Sequence, residues 1–219
     1  MKKVLLLFTI LSVSVLTTAC INNFAIKELN TKAESYMDKG DTEMAICRLK
    51  ASLDLDNGVY QTHYNLAVAY NNINNYEGVV TEAQKVLELK PDFYDALYIM
   101  AVAKENLAYQ TIEAVENPYD LSMEQIADFN DKANEAIDTY NKYLVNKPNA
   151  PETEQINNKI AELNGKIKEY SDIYDNKSSE MQHQVQEEMN PELPQEENPE
   201  QPQEENPEQP QENPEENNG

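Results

Sequence analysis

Several residue types that would suggest other folds are scarce in this chain. It contains no tryptophan, five glycines, two cysteines and two histidines among 219 residues. No stretch alternates between apolar and polar residues in the way that a half-buried β-strand does. The sequence therefore predicts an all-α protein, with room for one domain of ordinary size between a leader and a tail.

Basic residues are scarce too. The chain has 17 Lys and Arg against 40 Asp and Glu, which gives a formal net charge of −23. Proteins that bind nucleic acid need clustered Lys and Arg to contact phosphates. The charge balance therefore argues against nucleic acid as a partner.

Motifs that carry catalysis are absent from the sequence. Neither His63 nor His183 lies in a zinc-protease motif, and there is no Walker-type loop, Gly-rich dinucleotide turn or Gly-x-Ser-x-Gly elbow. We therefore expect a non-enzyme with no cofactor, no metal site and no small-molecule substrate. A solute-binding or catalytic protein, the minor alternative, would need an enclosed polar pocket. His63 is expected to be a partly buried structural residue.

One stretch, residues 60–93, predicts two short amphipathic helices joined by a turn at Asn74 and Asn75. Apolar residues recur at helical spacing on one side of each helix. The second helix is expected to end at Lys90, because the following proline cannot continue it. Neither helix could bury its apolar face alone, which indicates one unit of a repeat.

This unit is 34 residues long, with YNLAVAY at residues 64–70 and LELKP at residues 87–91. In length and motif it resembles the tetratricopeptide repeat, a helix-turn-helix module that stacks into a right-handed solenoid. The resemblance implies an all-α solenoid of about three repeats. They are assigned to residues 26–59, 60–93 and 94–150, followed by a capping helix at 151–174.

The third repeat carries an insertion of about 23 residues, judged against the 34-residue period. Its first helix is expected to run from Asp92 to about Glu116 and to break at Asn117-Pro118. A capping box at Ser122 and Gln125 predicts the start of the second helix. Two helices lengthened by about 11 residues each would pair as a projection beyond the repeats. Such a projection would either dock a partner or brace the end of the solenoid.

The N-terminus resembles the signal peptide of a bacterial lipoprotein. Residues 1–19 combine a basic start with an apolar core too short to span a bilayer comfortably. The sequence LTTAC at residues 16–20 resembles the lipobox, in which the cysteine becomes the acylated N-terminus. The resemblance implies a lipid anchor on Cys20 in the cell envelope, in the outer membrane if the organism has two membranes. Ordinary signal-peptidase cleavage near Ala19 is the alternative.

Three smaller predictions complete the domain organisation. Residues 20–25 are assigned to a short tether between the lipid and the first repeat. Cys47 is expected to be a small packing residue. Residues 175–219 are assigned to a disordered acidic tail, because their later part is built from Pro, Glu, Gln and Asn with almost nothing to bury.

In the family that this sequence resembles, the first helix of each repeat lines a groove that binds extended peptides. Amide side chains can pair with the backbone of such a peptide, and tyrosines add apolar area. The alternative is a solvated helix face. The resemblance implies a peptide-binding groove at Asn30, Glu34, Tyr64, Asn65, Val68, Asn72, Tyr98, Val102 and Asn106, with Glu105 also on this face.

Family members that bind chaperone tails clamp a C-terminal carboxylate with Lys, Arg and Asn. Of the corresponding places only Asn65 matches, since the others hold Asn30, Glu34, Asp95 and Ile99. The cationic part of the clamp is missing, so an acidic tail would be repelled.

Together these features predict an adaptor, anchored by the lipid on Cys20, that holds another cell-envelope protein near the membrane. The rival hypothesis is a surface-exposed structural or antigenic lipoprotein whose acidic tail is the functional part.

Overall fold

The computed structural model describes residues 22–189. The signal peptide, Cys20 and the chain from residue 190 onwards lie outside this range. Within it there is no β-strand, and none of its helices is long and apolar enough to cross a membrane. The helices are α1 (22–38), α2 (Thr42–Leu55), α3 (Tyr60–Asn72), α4 (Tyr76–Leu89), α5 (Asp95–Gln110), α6 (Met123–Asn146) and α7 (Thr153–Met189).

The described residues divide into two units. The first contains residues 22–180, with all of the helices α1 to α6 and most of α7. The second begins at residue 181 and contributes the last turns of α7, where Met181, Val185 and Met189 are exposed.

The first two helical hairpins turn in the same way. Gly40, with φ +77°, and Asn74, with φ +56°, lie in the left-handed region between the paired helices. Glycine enters this region without strain and asparagine tolerates it. The next residue, Asp41 or Asn75, caps the following helix by accepting a hydrogen bond from the backbone N–H three residues on. Equivalent residues are 34 positions apart, so the sequence repeat is also a repeat of backbone geometry.

Burial follows the same period. Ala33, Ala67 and Ala101 lie on α1, α3 and α5, 34 residues apart, and each is 0% exposed. Because alanine has the smallest apolar side chain, it lets neighbouring helices approach closely at these places. The predicted all-α architecture of about three helix-turn-helix repeats is confirmed.

The third hairpin keeps the register of the repeat at its far end. The backbone N–H of Lys90 bonds to Val86 O at the end of α4, and the N–H of Lys147 bonds to Tyr143 O at the end of α6. Lys90 and Lys147 are 57 residues apart, which is 23 more than one period. Measured between these two helix ends, the third hairpin is thus 23 residues longer than one period.

The predicted projection of two equally lengthened helices is wrong. At the 57-residue offset Tyr76, the first residue of α4, corresponds to Ala133, so α6 begins ten residues early, at Met123. By contrast α5 ends at Gln110 and not near Glu116. The β-branched Thr111 and Ile112 follow, and β-branched residues have low helix propensity. The expected capping box of Ser122 and Gln125 is present.

The segment between α5 and α6 folds back onto the core. Ile112 and Val115 are partly buried against the cluster that includes Phe129 of α6 and Tyr170 of α7. Leu121, at the end of this segment, is 1% exposed in the same cluster. Burying these apolar side chains is worth more than extending them into water on a longer α5.

The capping helix extends beyond the predicted boundary at residue 174. Helix α7 continues to Met189, so residues 175–189, assigned to the tail, are helical. They contain neither proline nor glycine, and Pro191 is the first residue that cannot continue a helix. Gly165 lies inside α7 without ending it, because its cost of about 1 kcal/mol is small beside tertiary packing.

Two minor predictions are also corrected. Residues 22–25, assigned to the tether, already belong to α1. The side chain of Cys47 is exposed on α2, so it is not a packing residue. Its outward position follows from the helical spacing, because Ala45 and Leu49 take the buried face of α2.

Candidate functional site: the face of α1, α3 and α5

Helices α1, α3 and α5 are the first helices of the three repeats, and polar side chains of α1 and α3 meet on one face. Asn65 of α3 donates a hydrogen bond through Nδ2 to Glu34 Oε1 of α1 over 3.5 Å. Asn72 lies about two turns beyond Asn65 on α3 and is exposed. Val68, between Asn65 and Asn72, is partly buried. These four residues form an accessible or partly accessible stretch across the first two repeats.

Asn30 is the predicted groove residue with the least freedom to bind a ligand. Its Nδ2 lies 2.9 Å from Ile26 O, 2.9 Å from Ser52 Oγ and 3.0 Å from Thr62 Oγ1. Ser52 and Thr62 are both buried. The amide of Asn30 therefore joins α1 to α2 and α3, and its donors are already engaged inside the protein.

The two predicted groove tyrosines serve the core as well as the surface. The ring of Tyr64 packs edge-on against Phe93, with ring centroids 4.9 Å apart. The ring of Tyr98 lies 5.5 Å from that of Tyr143, a fully buried residue of α6. Burial raises the pKa of the Tyr64 hydroxyl, with a smaller contribution from the charge of Asp95. Both tyrosines remain partly exposed, so each can offer one edge to a ligand.

The third repeat places Val102 and Asn106 partly exposed on α5, but it buries Glu105. The residue is only 7% exposed, and its carboxylate accepts a hydrogen bond from Tyr140 of α6 at 2.5 Å. Lys159 of α7 lies 2.7 and 2.8 Å from its two oxygens. The expectation that Glu105 lies on the groove face is therefore wrong, because the residue fastens α5 to α6 and α7.

The charged groups near this face are mainly acidic. Glu34 is exposed, and Asp95 forms an ion pair with Lys147 of α6. The positions at which a carboxylate clamp has its cations hold Asn30, Asp95 and Ile99 in this chain. The electrostatics of the face thus disfavour an acidic peptide.

His63 is buried, as expected from its place in the second repeat. Its Nδ1 lies 2.6 Å from Glu82 Oε2 of α4, and its Nε2 lies 2.9 Å from Asn57 O in the connection before α3. Each ring nitrogen of His63 thus has an oxygen partner within hydrogen-bond distance. The residue links three segments of the chain. Within residues 22–189 there is no group of three or more side chains that could hold a metal ion.

Sequence reasoning missed a cavity beside this face. It has a volume of about 560 Å³ and lies between the α3–α4 turn, the last turns of α5 and the segment that follows α5. The predicted groove residue Asn106 is one of its walls. The signal in the sequence was the insertion itself, since three of the lining residues belong to it. The cavity is lined by Asn74, Tyr76, Asn106, Tyr109, Gln110, Ile112, Glu113 and Val115.

The family comparison agrees with the repeat geometry. A tetratricopeptide repeat model matches residues 60–93, the second helical hairpin. Tetratricopeptide repeats generally mediate protein–protein interactions and are typically non-enzymatic. A search of curated proteins finds no significant match.

Solved structures with a similar fold are also tetratricopeptide repeat proteins. The crystal structure of MamA protein has a TM-score of 0.51 at 20% identity and covers 80% of each chain. The first repeat domain of human RPAP3, solved by NMR, has a TM-score of 0.50 at 16% identity and covers 67% of this chain and 95% of its own. The second repeat domain of human RPAP3, in complex with an HSP70 peptide, has a TM-score of 0.49 at 16% identity and covers 65% of this chain and 98% of its own. At such identities the first two likenesses establish the fold class, an all-α array resembling tetratricopeptide repeat solenoids.

Proposed function

We propose that this protein is a lipid-anchored adaptor that binds another cell-envelope protein on the face of α1, α3 and α5. The observation that carries the proposal is the accessible stretch of Glu34, Asn65, Val68 and Asn72, which crosses two repeats and joins amide, carboxylate and apolar groups. Such a mixture suits an extended peptide, whose backbone needs hydrogen bonds and whose side chains need apolar contact.

The partner segment is expected to be neutral or basic. The exposed carboxylate of Glu34 gives the face a negative charge, and the whole chain carries a net charge of −23. Opposite charges steer association and like charges oppose it. An acidic peptide tail is therefore the least suitable ligand.

The membrane anchor in this proposal is Cys20. The signal sequence and the LTTAC motif support acylation there, and α1 is already helical at residue 22. Very few residues would then separate the lipid from the repeats, so the binding face would work close to the membrane surface. The protein would reside in the cell envelope, and in the outer membrane of an organism with two membranes.

Photo-crosslinking in living cells tests the binding face. A crosslinking amino acid at Val68 or Asn72 should capture one envelope protein repeatedly. The same amino acid at Gln84 of α4 or Asn141 of α6, both exposed on the second helices, should not. Equal capture from the control positions would show that the face has no binding role.

Alanine substitutions supply the matched loss of function. Replacing Asn65 and Asn72 together should abolish the crosslink from Val68, because a peptide backbone would lose its amide partners. Replacing Gln84 and Asn141 should leave it intact. If the partner is captured only through residues 190–219, the tail is the functional part, and the surface-exposed lipoprotein becomes the better explanation.

The anchor has its own test. Cys20→Ser should abolish incorporation of labelled palmitate and release the protein from the membrane fraction, while Cys47→Ser should change neither. Labelled palmitate that persists in Cys20→Ser would refute the lipid anchor without affecting the binding face.

A further inference from the structure

We propose that the cavity beside α5 binds the guanidinium group of an arginine side chain on the partner protein. The inference deepens the proposed function, because it gives the partner a chemical feature next to the binding face. Asn106 connects the two, since it was predicted for the groove and lines the cavity. A volume of about 560 Å³ lies within the usual range for ligand pockets.

Internal hydrogen bonds engage three of the donors on the cavity walls. The hydroxyl of Tyr76 donates to Asn74 Oδ1 at 2.9 Å, and the hydroxyl of Tyr109 donates to Glu162 Oε1 at 3.0 Å. The Nδ2 of Asn106 donates to Val102 O at 2.8 Å. The acceptors left for a ligand include the two phenolic oxygens and Asn106 Oδ1, and the side-chain amides of Asn74 and Gln110 add both donors and acceptors.

The charge on the walls also favours a positively charged ligand. Glu113 is exposed at the edge of the cavity and takes part in no salt bridge of the described chain, and no Lys or Arg lines the cavity. A ligand group rich in donors and positively charged would satisfy both the acceptors and the carboxylate. A carboxylate or phosphate ligand would meet the like charge of Glu113 and no cation on the walls.

Arginine fits these walls better than lysine does. Its planar guanidinium has five N–H donors and no acceptor, and it stacks on aromatic rings such as those of Tyr76 and Tyr109. Two aliphatic side chains of the segment after α5 also line the cavity and can contact the methylene stem. Lysine would present its charge at a single point and would leave more of the acceptors unpaired.

The insertion makes this site particular to the third repeat. Glu113 and the two aliphatic residues belong to the segment that a repeat of ordinary length lacks. Asn74 and Tyr76 come from the turn of the preceding hairpin, where the left-handed conformation of Asn74 sets the start of α4. The site therefore needs both an ordinary repeat turn and the unusual segment beside it.

An NMR titration tests the proposal without the partner. The ¹⁵N-labelled protein from residue 20 to residue 219 is titrated with N-acetyl-arginine amide, and separately with N-acetyl-citrulline amide, which has nearly the same shape and no charge. We expect saturable shifts of backbone amides in residues 74–76 and 106–115 with a Kd of about 1 mM or weaker, as suits one side chain. The citrulline compound should give no saturable shifts there. Equal binding of both compounds, or shifts confined to other parts of the protein, would overturn the proposal.

Two glutamates of the same segment provide matched variants. Glu113→Gln should weaken binding of the arginine compound about threefold, the size expected of one exposed carboxylate partner. Glu116→Gln should leave binding unchanged, because Glu116 is exposed but does not line the cavity. Equal weakening by both variants would show a general attraction to the acidic surface and would refute the site.

The outcome separates this inference from the adaptor proposal. If the arginine compound does not bind while a crosslinker at Val68 still captures its partner, the cavity has no role and the binding face stands. If the arginine compound binds and Glu113→Gln also reduces the crosslink at Val68, one partner occupies both places.

Discussion

Removing the amine of Lys159 should test how strongly α7 is fastened to the repeats. Lys159 of α7 lies 2.7 and 2.8 Å from the carboxylate oxygens of Glu105 on α5, and the side chain of Glu105 is 9% exposed. In Lys159→Met the carboxylate would stay buried with only the hydroxyl of Tyr140 beside it. Breaking a buried pair from one side costs about 3–5 kcal/mol, because one charge is left without compensation.

The same helix provides a control of the same chemistry. Lys166 of α7 pairs with Glu169 at 2.9 Å, and the two side chains are 36% and 44% exposed. Because water screens this pair, Lys166→Met should cost less than about 1 kcal/mol. Chemical denaturation followed by circular dichroism measures both variants. Thermal unfolding should show the same difference in stability, since each kcal/mol corresponds to roughly 2–4 °C in Tm for a protein of this size.

The two partners of the buried pair should also differ from each other. The side chain of Lys159 is 27% exposed, whereas that of Glu105 is 9% exposed. In Glu105→Gln the amine of Lys159 can turn to water, so this variant should lose less stability than Lys159→Met. The double variant should be more stable than Lys159→Met alone, because no buried charge remains. If Lys159→Met cost no more than Lys166→Met, the pair would not be what fastens α7.

Three further predictions concern packing and titration. Leu121→Ala should lower the free energy of unfolding by about 2–5 kcal/mol in urea denaturation, because Leu121 is 1% exposed in the core beside α7. Gly78→Ala should destabilise the protein by about 1–3 kcal/mol, because the new Cβ would lie 2.7 Å from the ring of Tyr70. Gly165 has open space around it, so Gly165→Ala should stabilise the protein by about 0.5–1 kcal/mol. Equal effects of the two substitutions would refute this reasoning. Burial and the hydrogen bond to Glu105 raise the pKa of Tyr140, so its contribution to stability is complete below pH 10 and falls above it by up to about 1.4 kcal/mol per pH unit. Tyr140→Phe should make stability less dependent on pH in that alkaline range, and an unchanged dependence would contradict the assignment.

The repeat could be predicted because it rests on local signals. Helical spacing of apolar residues, an asparagine turn and a proline after Lys90 are all readable along the chain, and the confirmed register from Ala33 to Ala101 follows from them. The length of α5 was predicted wrongly for a physical reason. Asn117-Pro118 is a strong local break, but α5 ends at Gln110 because Ile112 and Val115 contact residues of α6 and α7 that lie far away in sequence.

The candidate site shows the same division between features that local sequence signals predict and contacts that depend on residues far apart in sequence. The resemblance to the tetratricopeptide repeat assigned Glu34, Asn65 and Asn72 to one face, and Glu34 and Asn65 contact each other between α1 and α3. The resemblance could not show that Glu105 meets Lys159, because these residues are 54 positions apart and their contact depends on how α7 packs. The cavity escaped prediction for the same reason. Whether the face binds a partner stays a prediction.

The two ends of the repeat array are held together by different interactions, and this bears on how the protein would respond to force. Near the N-terminus, α1 meets α2 and α3 through a cluster of alanine and leucine side chains and through the amide of Asn30, whose buried Oδ1 has no hydrogen-bond partner in the described chain. Near the other end, α5, α6 and α7 share aromatic packing and the ion pair of Glu105 with Lys159. A pull on the N-terminus would load the contacts of α1 first, because α1 is the described helix nearest to that end of the chain. We therefore expect tension at the N-terminus to separate α1 from α2 and α3 before it disturbs the cavity beside α5.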